Sequence, residues 1–198
     1  MPRLSSKDKY IRQIFNLYIE KGLYLNMEEI ADDLHITKKT LYNNFESKEE
    51  MISTVVEHFF FALEEKIIAS INKSSNAIES LIGLVDILHS EIDRLGPRML
   101  DDASNEHLDM FVHTNRSSFY FRVIKENIIK GIEENLYRED LNVELCTLFY
   151  TSAVEFFYKK GNIKKYLKNS REFHTELVKH HLYSVVKPEC INLLESYL

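Results

Sequence analysis

Apolar residues recur three and four positions apart along nearly the whole chain, and no stretch sustains a strict apolar–polar alternation. That spacing marks one face of a helix, not a half-buried strand. The first stripe, Ile11, Ile14, Phe15, Tyr18 and Ile19, predicts a helix over about 6–21, closed by Gly22, where a left-handed residue can end a helix without a Cβ clash. Met27, Ile30, Ala31 and Leu34 predict a short second helix that opens at Asn26 and stops at His35. Asn26 can accept the free N–H of Glu29 while Glu29 reaches back to it, a capping box. Thr37 then caps a third helix, in which Leu41 and Phe45 share the inner face. Ser47 and Glu50 repeat the capping pattern ahead of a long fourth helix over about 48–71, with Ile52, Val55, Val56, Phe59, Leu63 and Ile67 as its stripe. Phe60 and Phe61 broaden that stripe and predict cover on more than one side.

Further helices are expected over "NAIESLIGLVDILHSEIDRL", ended by Gly96-Pro97, then over 116–139, 142–160 (ended by Gly161) and about 171–186, stopped by Pro188 ahead of a short tail. Residues 98–113 carry a weaker helical pattern. Five glycines, three prolines and the absence of a repeat, a low-complexity run or a linker fit an all-α fold. The expected division is a helix-turn-helix domain over 1–50 and a larger helical domain over 51–198, joined through the fourth helix.

Composition narrows the function. No apolar run is long enough to span a membrane, and the N-terminal "MPRLSSKDKYIRQ" lacks the apolar core of a signal peptide, so a cytoplasmic protein is expected. Cys146 and Cys190 stand apart, with no paired spacing for a disulfide or a metal. Two histidines seven apart, His174 and His181, have no carboxylate or cysteine at ligand spacing; they read as surface or interface residues, and no metal or cofactor is expected. Glycine-rich phosphate loops, nucleophile elbows and zinc-protease motifs are missing, which argues against an enzyme.

A formal net charge of −6 opposes nucleic-acid binding by the whole surface but leaves room for a local basic face. "HITKKTLYNNFESKEE", residues 35–50, is such a face. With Leu41 and Phe45 turned inward, Lys38, Lys39, Tyr42 and Asn43 fall on a separate arc of about 140°. Lysines reach phosphates or guanine edges, Asn43 can pair with an adenine edge, and Tyr42 offers a phenol to a phosphate. Lys48, in the first turn of the fourth helix, opposes the helix dipole unless a phosphate sits beside it. The competing reading is an ordinary solvated face; the short helix and tight turn in register ahead of these residues favour double-stranded DNA.

The segment "NMEEIADDLHITKKTLYNNFESKEEM" resembles the DNA-binding segment of the TetR/AcrR family of bacterial transcription regulators. Ile30-Ala31, Thr40-Leu41-Tyr42, Phe45 and Ser47-Lys48-Glu49-Glu50 carry the match over residues 26–51, and "IIKGIEENLYREDL" resembles a segment of the family's second domain. His35 and Lys39 stand where the family often has glycine. His35 must then take a left-handed conformation or alter the turn, and Lys39 adds a charge that can change the preferred site. The resemblance implies DNA contacts from Thr37, Lys38, Lys39, Thr40, Tyr42, Asn43 and Lys48. It also implies a two-fold homodimer whose recognition helices sit ~34–36 Å apart on a pseudo-palindromic site, and a small-molecule effector that shifts the fourth helix and changes that spacing. Repression is the usual outcome in such proteins. A second reading uses the helix-turn-helix for protein contacts alone, and predicts no salt-dependent duplex binding.

Within the larger domain the last two long helices are the expected dimer seam, through Phe149, Phe156, Phe173, Leu177 and Val185, although any single one of these fits the chain's own core equally well. His89, Met110, His113, Phe119, Tyr120 and Tyr150 mix aromatic with polar groups, as an effector pocket would; an ordinary helical core has the same mixture, so the pattern alone leaves both open.

Overall fold

The computed structural model describes residues 6–102, 116–158 and 170–198. Among these the fold is all-α, with one isolated antiparallel bridge, Tyr137 to Val186, and no strand. Two compact units are present, Met1–Glu65 with Glu91–Phe111, and Lys66–Ser90 with Val112–Leu198. The helix-turn-helix expected over 1–50 therefore packs with the first part of the fourth helix and with a segment more than forty positions further along the chain.

In the first unit, helix α1 (Ser6–Lys21) buries Ile11, Ile14, Phe15, Leu17 and Tyr18. Leu17 replaces the expected Ile19, which is half-buried, because neighbours cover α1 over a wider arc than one stripe. Helix α2 (Met27–Asp33) opens on the predicted capping box: Asn26 Oδ1 accepts from the N–H of Glu28 (2.9 Å) and Glu29 (3.0 Å), and Glu29 Oε2 accepts from Asn26 N–H at 2.7 Å. Helix α3 (Lys38–Tyr42) and helix α4 (Lys48–Lys73) follow. The predicted α4 stripe from Ile52 to Ile67 is buried, and Phe59 stacks on Phe15 at 5.2 Å. Phe61 departs from expectation: it points well off the stripe and stays 63% exposed. Helix α5 (Ala77–Asp102), which belongs to the second unit up to Ser90 and to the first from Glu91, is broken at Gly96 (φ 72°, ψ 160°), where the sequence placed a stop, and resumes beyond it.

In the second unit, helix α6 (Arg116–Glu133) ends six residues earlier than the predicted 139. Its end is a Schellman turn: Asn135 takes φ 60°, its N–H donates to Ile132 O (3.0 Å), and Leu136 N–H donates to Gly131 O (2.9 Å). The chain then pairs with the far end of the fold, Arg138 N–H donating to Val185 O and Lys187 N–H to Leu136 O, both at 2.9 Å. Helix α7 (Val143–Tyr158) is capped by Asn142 Oδ1, which accepts from Leu145 N–H at 3.0 Å; the predicted extension to 160 and the stop at Gly161 lie outside the described residues. Helix α8 (Ser170–Val185) gives up Val186 to the bridge. The expected tail is ordered structure, a 3-10 turn (Pro188–Cys190) and helix α9 (Ile191–Glu195) with Leu194 buried. No described helix is long and apolar enough to cross a membrane.

Candidate nucleic-acid interface

The turn between α2 and α3 is closed by His35, which takes the left-handed conformation at φ 53°. Its N–H donates to Asp32 O (3.0 Å) and Ile36 N–H donates to Ala31 O (2.9 Å), so the turn is a second Schellman motif with histidine in the position glycine favours. Backbone hydrogen bonding thus supplies what the missing glycine would have made easy. Two residues on, Thr37 caps α3: its Oγ1 accepts from Thr40 N–H at 3.2 Å and pairs with Thr40 Oγ1 at 2.9 Å. Both threonine hydroxyls, expected at DNA, are already engaged in holding the start of the helix.

Leu41 and Phe45 are buried as predicted, and this seats α3 with its opposite face outward. Tyr42 is 49% exposed. Asn43 is exposed as well, but sits at the C-cap just past the five-residue helix (φ −71°, ψ −18°), so the helical path still carries it on the same side. Asn44 Nδ2 donates to Thr40 O at 2.8 Å and secures this last turn, a role the sequence reading missed. Lys39 is exposed with no partner among the described residues, whereas Lys38 Nζ lies 3.7 Å from Glu28 Oε2 on α2.

At the start of α4, Ser47 Oγ accepts from Glu50 N–H (3.1 Å), as the cap signal predicts. The reciprocal half differs: Glu50 accepts from Glu46 N–H (3.1 Å), one residue early, and from Thr54 (3.1 Å) and Lys7 Nζ (3.2 Å). Partial burial pushes the Glu50 carboxyl up, but the hydrogen bonds from Lys7 and Thr54 and the lysine's charge outweigh it and hold the group below its ordinary range. Lys7 also lies 5.1 Å over the Phe45 ring, tying the start of α1 to the back of the reading head. Lys48 is half-buried, and its Nζ donates to Tyr24 O at 3.4 Å in the α1–α2 loop. Lys39, Tyr42 and Asn43 thus form an exposed set of cation, phenol and amide, with Lys38 and Lys48 at its margins on weak, exchangeable partners.

Of the residues expected at a pocket, Met110 and His113 lie outside the described residues. His89, Phe119 and Tyr150 are buried and Tyr120 is half-buried. His89 stacks on His174 (5.4 Å) and Tyr150 meets His181 (4.7 Å). The reading of His174 and His181 as surface or interface residues is therefore corrected: with Val178 and Leu182 they form the inner face of α8. Burial, and for His174 the neighbouring His89, lowers both imidazoles from 6.5 to about 4. Among the described residues no three histidine, cysteine or carboxylate side chains gather as a metal site would require.

The expected seam residues divide. Phe149 and Phe156 are 69% and 58% exposed and share a face of α7 with exposed Leu145 and Leu148. Phe173 and Leu177 are half-buried. Val185 is corrected: it is fully buried beside the 137–186 bridge, within the chain's own core, and has no surface left for a partner.

Residues 11–55 match the pattern described as "Bacterial regulatory proteins, tetR family". The chain is 27% identical to the HTH-type transcriptional repressor KstR2 of Rhodococcus jostii (strain RHA1) over 160 residues, 74% of this chain and 77% of that protein. A transcriptional regulator from Cytophaga hutchinsonii shares the fold with a TM-score of 0.75 at 14% identity, covering 91% of this chain and 98% of the other. A protein from Saccharomonospora viridis, solved in complex with choline, does so with a TM-score of 0.65 at 14% identity over 92% and 98% of the two chains.

Proposed function

We propose that this chain, a member of the TetR family of bacterial DNA-binding transcriptional regulators, acts as a repressor that leaves a pseudo-palindromic operator when a small molecule binds its larger domain. The observation that carries the DNA contact is the exposed set on α3, Lys39, Tyr42 and Asn43, seated by buried Leu41 and Phe45 behind a Schellman turn. Thr37, Lys38, Thr40 and Lys48 flank it, Lys38 giving up Glu28 for a phosphate and Lys48 keeping Tyr24 O while its remaining N–H groups meet one. Domains over 1–50 and 51–198 divide the labour between reading DNA and sensing plus assembly. The exposed α7 face of Leu145, Leu148, Phe149 and Phe156 supports a homodimer seam, with Phe173 and Leu177 at its edge. His89, Phe119, Tyr120 and Tyr150 are the described residues of the effector pocket. The choline-bound neighbour supports small-molecule sensing by this fold without identifying the molecule here.

The test is gel-shift titration on a duplex that the full-length protein selects from a randomised pool. Tyr42→Ala and Lys48→Ala should each weaken binding by about 1–2 kcal/mol, as lost phosphate contacts do, with unchanged helical content. Wild-type affinity in both variants, or no selected duplex at all, would overturn the assignment.

A further inference from the structure

The end of α5 lies in the sequence region expected to sense and assemble, yet residues 91–102 belong to the same compact unit as α1–α3. Three observations show how that stretch is fixed there. Leu95 and Met99 are buried. The Arg94 guanidinium lies 5.0 Å over Phe15 and 5.6 Å over Phe59, aimed by Glu91, which accepts from its Nη2 (2.7 Å) and Nε (2.9 Å). Beyond the break at Gly96, Asp102 Oδ2 accepts the backbone N–H of Leu23 at 2.8 Å.

This last contact is built to fit. Gly22, the residue before Leu23, has φ +89°, and a Cβ there would stand 2.1 Å from the same Asp102 oxygen. Only glycine lets the carboxylate approach the loop so closely. On the next residue, the Tyr24 carbonyl accepts from Lys48 Nζ. A continuous path therefore runs from the Asp102 carboxylate, through Leu23 N–H and the Tyr24 carbonyl, to the ammonium proposed to meet a phosphate.

We propose that Asp102 is a positioning residue for DNA binding, holding the α1–α2 loop so that the Tyr24 carbonyl presents Lys48 to the phosphate backbone. The inference rests on the DNA-reading role of Lys48. Without the carboxylate the loop has no side-chain acceptor for Leu23 N–H among the described residues, and Lys48 loses its fixed rest position.

The experiment is a double-mutant cycle on the selected duplex with the full-length chain, measured across salt concentration. Asp102→Ala should weaken binding about tenfold, as for loss of a hydrogen bond to a charged group, and lower the salt slope by about one, the signature of one lost phosphate contact. Lys48→Ala should do the same, and the double variant should be no weaker than either single one by more than about twofold. Asp102→Asn keeps an acceptor and should recover most of the affinity. Gly22→Ala displaces the carboxylate but also strains the turn at φ +89°, so it serves as the second arm where its circular dichroism and urea midpoint match wild type, and should then reproduce Asp102→Ala. Additive losses in the cycle, or an unchanged salt slope in Asp102→Ala, would overturn the proposal even where Lys48→Ala weakens binding. Lys48→Ala with wild-type affinity and slope would instead remove the reading on which it rests.

Discussion

Replacing Gly131 by alanine adds one methyl group to the side of α6 that faces Tyr137. In an ordinary helix interior that change stabilises by about 1 kcal/mol, since glycine is a poor helix former. Here the new Cβ would lie 2.2, 2.4 and 2.5 Å from Cδ2, Cε2 and Cγ of the Tyr137 ring, which is wholly buried. Moving the nearest ring atom from 2.2 Å to an ordinary contact of 3.4 Å requires a retreat of about 1.2 Å. The ring is held at both ends. Its hydroxyl donates to Asn127 Oδ1 at 3.2 Å, Asn127 Nδ2 donates to Ala77 O at 2.8 Å, and the Tyr137 N–H donates to Gly131 O at 2.9 Å. Overpacking of this kind costs roughly 1–3 kcal/mol, and loss of the tyrosine hydrogen bond about 1 kcal/mol more. Against the helix gain, Gly131→Ala should come out about 1–3 kcal/mol less stable. The chain has no tryptophan, so urea titration is best followed by far-ultraviolet circular dichroism. In a Tyr137→Leu background, which removes the ring edge, the same alanine should be neutral or stabilising. A Gly131→Ala protein as stable as wild type would refute the reasoning, because it would mean the ring is free to retreat.

Three further outcomes follow from the structure. Lys39→Gly should change the sequence preference or salt slope of DNA binding more than the stability, and an identical selection profile on random duplexes would show that Lys39 points away from DNA. Folded His174 and His181 take up protons near pH 4 and unfolded histidine near 6.5, so the unfolded chain binds more protons between these values. Stability present above pH 6.5 should therefore fall toward pH 4, by up to about 1.4 kcal/mol per pH unit for each histidine; His174→Phe with His181→Phe should flatten that slope, and an unchanged slope would place the acid sensitivity elsewhere. Phe149→Asp with Phe156→Asp should convert the proposed dimer at micromolar concentration into a species of single-chain mass by sedimentation, and a wild-type profile would exclude the α7 face as the seam.

The reading head was legible because its signals are local. Asn26 and Glu29, Thr37, and Ser47 and Glu50 are cap patterns whose partners lie within three or four residues, and Leu41 and Phe45 mark the inner face without knowledge of what they touch. Asn135 was less visible: a continuing apolar pattern predicted helix to 139, but a left-handed residue and a distant pairing with Val186 end it six residues sooner. What escaped altogether depends on long separations. The Arg94 stacking on Phe15 and Phe59, the Asp102 clamp and the burial of His174 and His181 each need an element far away in the chain, and polar residues carry no periodic signal to announce it. Val185 failed as a seam residue for the opposite reason: an apolar residue looks the same in sequence whether its own chain or a second one covers it.

The pairing of Lys38 with Glu28 has a kinetic consequence. On bulk DNA, a sequence-independent encounter offers phosphate charge and little else, so exchanging the carboxylate of Glu28 for a phosphate returns only a small net gain. With the overall charge at −6, the same balance extends over the rest of the surface. Under the proposed function such a head would release wrong sequences quickly and spend less of its search trapped along them. On the proposed function, discrimination comes from sites where base edges meet Lys39 and Asn43 together, and residence time more than attraction separates the target from other DNA.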